Sequence, residues 1–157
     1  MMKTLFFSLY TVTLSLWVGG MALFTFVVTP VIFRSYARDQ AGEIVGRLFP
    51  GYFLYTLALS GLALLLFFLI AADPAARPFR FSLFLLTTAL LVNTYVTFKL
   101  QPDAVKIKQQ VASFERESPD SPARRAFRRL HGISAVLNLL VLADGVALLV
   151  ISPFLRK

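Results

Sequence analysis

Apolar residues fill this chain in four long stretches with almost no charge inside them. Residues 4–33 hold no Asp, Glu, Lys or Arg; neither do 48–72 or 81–98, and 130–155 hold only Asp144. A helix rises about 1.5 Å per residue, so about 20 residues cross a hydrocarbon layer about 30 Å thick. In lipid the backbone must satisfy its own hydrogen bonds, which favours helices. The pattern predicts spans over 6–33, 51–72, 80–98 and 131–152. Their ends are set by Arg34, Asp73-Pro74, Lys99 and Ser152-Pro153. Pro50 is read as opening the second span, because a proline's missing N–H has no partner to lose in a first turn. The predicted fold is all-α: a polytopic four-helix transmembrane bundle forming one domain over 1–157.

One connection is long, residues 99–130. Ala104, Ile107, Val111 and Phe114 recur at three- and four-residue steps and make one apolar stripe. This predicts a short amphipathic cytoplasmic helix from Pro102 to Glu117. It either lies on the inner leaflet or extends the third span and packs on loop 34–49. Ser118-Pro119-Asp120-Ser121-Pro122 then breaks the helix, and Arg124-Arg125 with Arg128-Arg129 anchors the fourth span at the headgroups.

Composition narrows the class. Only 15% of the 157 residues are charged and 57% are apolar, against about 25% and 45–50% in soluble domains. A soluble enzyme and a nucleic-acid-binding domain are excluded, so the net charge of +8 is read as topological. Four spans put both termini on one side with Lys3, Arg77, Arg80, Arg156 and Lys157, five cations. The remaining eleven face the other way. Cationic loops resist translocation, so that side is expected to be cytoplasmic and both termini outside, which in a bacterium means the periplasmic face of the inner membrane. The opening apolar run is longer than a cleavable signal core of about 7–15 residues, so it reads as an uncleaved first span.

Few residues offer chemistry. With no cysteine and one histidine, no metal site and no cofactor are expected. Asp144 lies about 20 Å from the cytoplasmic end of its span. An ionised Asp at such depth costs about 2.5–3.5 kcal/mol, so it must find partners or face the bundle. With Asn138 and Asn93 it makes a candidate polar intramembrane site. Thr94, Thr97, Thr11, Ser15, Tyr55 and Ser60 are its other candidate partners, and Ser60 or Asn93 could take the Trp17 N–H. His131, Arg34, Ser134 and Tyr52 form a candidate cluster at the cytoplasmic face. Thr11, Ser15 and Gly19, with Thr4, Ser8 and Ala22, make a small-residue stripe suited to close helix packing.

Two clustered motifs carry a resemblance. Trp17-x-Gly19, Phe33-Arg34, Gly42 and Leu48-Phe49-Pro50-x-Tyr52-Phe53 resemble the first half of the transmembrane-protein-205-like family. Phe127-x-x-Leu130-His131-Gly132-x-Ser134 with Asn138-Leu139 resembles its last span. The resemblance implies a four-span membrane protein and no enzyme class. It carries over Trp17, Phe33, Arg34, Gly42, Phe49, Pro50, Tyr52, His131, Gly132, Ser134 and Asn138 as pattern positions. The family accepts Asn at Asp144, which speaks against a required ionisable group there.

Three functional readings follow. The first is a non-enzymatic protein of the bilayer that handles a small solute or ion, for transport or tolerance, at the polar intramembrane site. The second is an accessory subunit, docking a further copy or another membrane protein through the small-residue face. The third is a haem- or quinone-binding redox subunit. No nucleic acid is expected as a partner.

Overall fold

The computed structural model describes residues 2–70 and 76–156. Four long helices carry the fold: α1 Met2–Ser35, α2 Arg38–Ile70, α3 Arg77–Lys108 and α4 Pro122–Leu155. Each is long and apolar enough to cross a membrane, so the chain is an integral membrane protein with an all-helical bundle. Each helix packs on its neighbour in sequence, and α4 closes the ring against α1.

The helices outrun their charge-free stretches. Pro50 lies inside α2, which begins twelve residues earlier at Arg38, with Asp39 in its first turn. A carboxylate there complements the helix dipole. The third span does not stop at Lys99 but runs through Pro102 to Lys108. The expected helix from Pro102 to Glu117 is therefore helical only to Lys108, as the end of α3. Its stripe is covered by protein, since Val111 is buried and Phe114 half-buried. The second span's predicted end at Asp73-Pro74 lies outside the described residues, as does Lys157.

Two prolines leave matching marks. A proline ring has no N–H and crowds the carbonyl four residues back. Just before Pro30, α1 widens into a π turn over Phe24–Val28, and the Thr29 N–H bonds the Phe24 carbonyl. Just before Pro102, α3 widens over Val96–Leu100, and the Gln101 N–H bonds the Val96 carbonyl. The two helical hairpins share a further register. Tyr52 stands fourteen residues after Arg38, and Asn138 fourteen after Arg124.

Large side chains seal the interior. Tyr10, Leu14, Trp17 and Met21 recur along one face of α1 and are buried. They meet α2 and α4, with Tyr10 against the Phe67 ring at 6.4 Å. Between helices in lipid the gain comes from close packing and hydrogen bonds, because water is absent from both states. Asn93 supplies such a bond: its Nδ2 donates to Ser60 Oγ at 3.1 Å and to the Thr56 carbonyl at 3.3 Å, tying α3 to α2.

The small-residue stripe does not form this packing face. Ser15 and Gly19 are exposed, and a Cβ on Gly19 would meet nothing within 4 Å. Thr11 and Ser15 turn their hydroxyls back onto the Phe7 and Thr11 carbonyls. The close approaches occur instead at Gly20, which receives the Tyr55 ring, and at Gly145, where a Cβ would stand 2.7 Å from Val18 Cγ2.

Candidate functional site

Asn93, Asn138 and Asp144 do not converge. Asn93 and Asn138 line a gap of about 10 Å³ with Phe53, Val96 and Val141, room for about one water. Asp144 is not part of that lining; it lies six residues further along α4, about 9 Å by helical rise. Its Oδ2 is buried with no hydrogen-bond partner among the described residues, and so is Trp17 Nε1. The partners suggested for both are engaged elsewhere. Thr94 bonds the Leu90 carbonyl, Thr97 the Phe53 carbonyl and Tyr55 the Leu16 carbonyl, while Ser60 holds Asn93.

The predicted face cluster divides into two layers. His131 and Ser134 line a large cavity, whereas Arg34 stands exposed outside it. Tyr52 lies beneath. Its hydroxyl donates to Asn138 Oδ1 at 2.5 Å, and Asn138 Nδ2 donates to Thr25 Oγ1 at 3.0 Å. That chain of bonds joins α2, α4 and α1 below the cavity floor.

The cavity holds about 310 Å³ at the cation-rich end of the bundle, with walls from all four helices. Binding clefts for small molecules begin at about this size. Five phenylalanines, Phe33, Phe49, Phe53, Phe114 and Phe127, make its walls predominantly apolar. Arg38, Lys108 and Arg124 also line it, and no carboxylate does among the described residues. The two residues that precede the π-linked prolines, Thr29 and Gln101, line it as well. Thr29 Oγ1 is buried there without a hydrogen-bond partner among the described residues.

Each cation has a distinct setting. Lys108 Nζ donates to the Gly42 carbonyl at 2.6 Å and makes no ion pair among the described residues. Gly42 and Gly46, one turn apart on α2, leave the room it occupies; a Cβ on Gly46 would stand 3.0 Å from Nζ. The Arg124 guanidinium bonds the Glu117 carbonyl and lies 5.7 Å over the Phe114 ring. Arg38 is exposed at the first turn of α2. His131 stacks on Phe127, 6.0 Å between ring centres.

Residues 109–121 close one side of the cavity as a strap. Asp39, on the overhang of α2 beyond its charge-free run, accepts from Ser113 Oγ and from the Phe114 N–H, both at 2.6 Å. These bonds hold its carboxyl below the ordinary carboxylate range. They also set Phe114 edge-on against Phe127 at 5.1 Å. The nearby acid Glu43 is taken by Arg47 at 2.6 Å.

Sequence reasoning missed Lys108 and Arg38 as lining residues. It also grouped Arg124 with Arg125, Arg128 and Arg129, none of which lines the cavity. The signal for Lys108 was present: Gly42-x-x-x-Gly46 puts two bare positions on one helix face.

Residues 12–113, about two-thirds of the chain, match the model of a domain of unknown function, DUF4149. The chain belongs to the DUF4149 family. The matched stretch spans α2 and α3 and most of α1, and ends in the strap at Ser113, so His131, Ser134 and Asn138 lie beyond it. An uncharacterized protein of Aquifex aeolicus (strain VF5) is 40% identical over 53 residues, covering 34% of this chain and 40% of the relative. This DUF4149 chain thus spans less than half the length of that relative. No solved structure matches it.

Proposed function

We propose that this protein binds an amphipathic small molecule in the cavity at the cation-rich end of its bundle. One observation carries the reading: an apolar, aromatic-walled space of about 310 Å³ opens among three cations, with no carboxylate in its lining among the described residues. Such a lining suits a molecule with an apolar body and a polar end. Solute handling is thereby assigned to this cavity rather than to Asp144, Asn138 and Asn93. The resemblance to transmembrane-protein-205-like proteins supports it, because Phe33, Gly42, Phe49, His131 and Ser134 are both pattern positions and lining residues. The excess of Lys and Arg at this end favours the cytoplasmic leaflet as the ligand's source.

The test is retention of a dodecyl amphiphile by purified protein, read by native mass spectrometry. One molecule per chain is expected, and Ala104→Trp, which fills the cavity, is expected to abolish it. Unchanged retention in Ala104→Trp would refute the reading.

A second reading rests on α1, the least buried of the four helices. Its face of Ser15 and Gly19 is open and would accept a helix of another copy. Gly19→Cys in this cysteine-free chain is expected to form a crosslinked dimer in membranes on oxidation; a chain that stays monomeric would remove that reading.

A further inference from the structure

The Lys108 ammonium stands in the cavity wall with donors to spare. It is half-buried and has three N–H donors, of which one is used, on the Gly42 carbonyl. Asp39 and Glu43 favour its charge from a distance, but neither makes an ion pair with it among the described residues. Asp39 is committed to Ser113 and Phe114, and Glu43 to Arg47. Arg38 and Arg124 flank the same space, so three cations line it while its acidic neighbours, Asp39 and Glu43, stay outside the lining among the described residues. A partly desolvated cation costs free energy unless an anion pairs with it. The berth is also specific: Gly42 and Gly46 leave room for Nζ against α2, at the wall of a space that five phenylalanines also line.

We propose that Lys108 receives the headgroup of the cavity's ligand, an anionic oxygen group (phosphate or carboxylate) carried on an apolar chain. This deepens the binding function proposed above and rests on it. The ammonium gives its two free donors to the anion, Arg38 and Arg124 add charge at the rim, and the chain lies among the phenylalanines. The ligand's charge is thus selected by one lysine held in place by two glycines.

The test uses the full chain in a neutral maltoside detergent. Equilibrium binding is measured for dodecyl phosphate, dodecanoate, uncharged dodecanol and inorganic phosphate. Charge-assisted hydrogen bonds are the strong ones, so the two anionic amphiphiles are expected to bind about tenfold or more tighter than dodecanol. Lys108→Met is expected to bring them level with dodecanol. Gly46→Ala, whose Cβ would stand 3.0 Å from Nζ and displace it by a few tenths of an ångström, is expected to narrow the preference, while Gly42→Ala, at 3.9 Å, keeps it. If Lys108→Met does not fold, Lys108→Gln retains a donor for the Gly42 carbonyl and carries the same expectation.

A lysine that merely ties α3 to α2 would lower stability on substitution and leave the anion preference intact; that result overturns the proposal. Equal binding of dodecanol and the anions by the unaltered chain overturns it too, while leaving the cavity's binding role standing. No amphiphile bound at all sinks both. Inorganic phosphate binding as tightly as dodecyl phosphate would show a soluble anion, and the chain-bearing ligand falls.

Discussion

Tyr52 and Asn138 meet across the diagonal of the bundle, hydroxyl to amide oxygen at 2.5 Å, from matching positions on α2 and α4. Asn138 passes the connection on to Thr25 of α1. Removing one member of a half-buried pair leaves the other unsatisfied, at a cost of about 1–3 kcal/mol. Tyr52→Phe and Asn138→Leu are each expected to destabilise the protein by that amount. The double variant should lose less than the sum, measured by reversible unfolding in mixed micelles.

Gly145 and Gly19 should respond in opposite ways to alanine. A Cβ at Gly145 would press on Val18, and overpacking costs about 1–3 kcal/mol. At Gly19 it would enter open space, and alanine is the better helix former by about 1 kcal/mol. Thermal unfolding of the two variants is expected to shift down and stay level or rise, respectively.

Pro30 and Pro102 should shape the cavity from a distance. Replacing either with Ala restores the N–H and lets the preceding π turn relax to an α-helical turn. That rotates Thr29 or Gln101, both lining residues, relative to the rest of the wall. Amphiphile binding is expected to weaken in Pro30→Ala and Pro102→Ala while the proteins remain folded. Unaltered affinity in both would separate the prolines from the cavity.

The Asp39 latch gives the strap a pH dependence. Its carboxyl titrates below the ordinary value near 4 because Ser113 and Phe114 bond the charged form. The stabilisation is therefore fully present above that ordinary value and is lost as pH falls through the lower, folded value. Protection of the Phe114 amide from hydrogen exchange is expected to be level from pH 7 to 5 and to drop below about pH 4. Asp39→Asn should remove the pH dependence.

Asp144 should be replaceable without loss of stability. Its Oδ2 is buried without a partner among the described residues, so Asp144→Leu removes an unmet acceptor. An unfolding midpoint equal to or above that of the unaltered chain is expected. A clear drop would reveal a bond that Asp144 makes in the membrane.

The spans were legible because charge is so costly in hydrocarbon that its absence marks them. Their ends were not, because Pro50, Lys99 and Pro102 stop a helix only where nothing else holds it. Here the two π turns make room for Pro30 and Pro102, and the helices continue into the cavity walls. His131 and Ser134 stood out by their place at the start of a span. Lys108 did not, since a lone lysine in a long connection reads as solvated until Gly42 and Gly46 are seen to receive it. Trp17 and Asp144 were given partners by proximity in register. The helices instead rotate Ser60 and Asn93 toward each other.

Helices of 32 to 34 residues measure about 50 Å end to end, some 20 Å more than the hydrocarbon layer. The surplus includes the Arg-lined end of the bundle, and on the reading proposed above that would set the chamber's mouth near the lipid headgroups. On that reading a guest would enter sideways from the surrounding film without crossing bulk water. Occupancy then follows the mole fraction of guest in the bilayer, and diluting the vesicles with inert lipid should empty the chamber while diluting the buffer leaves it filled.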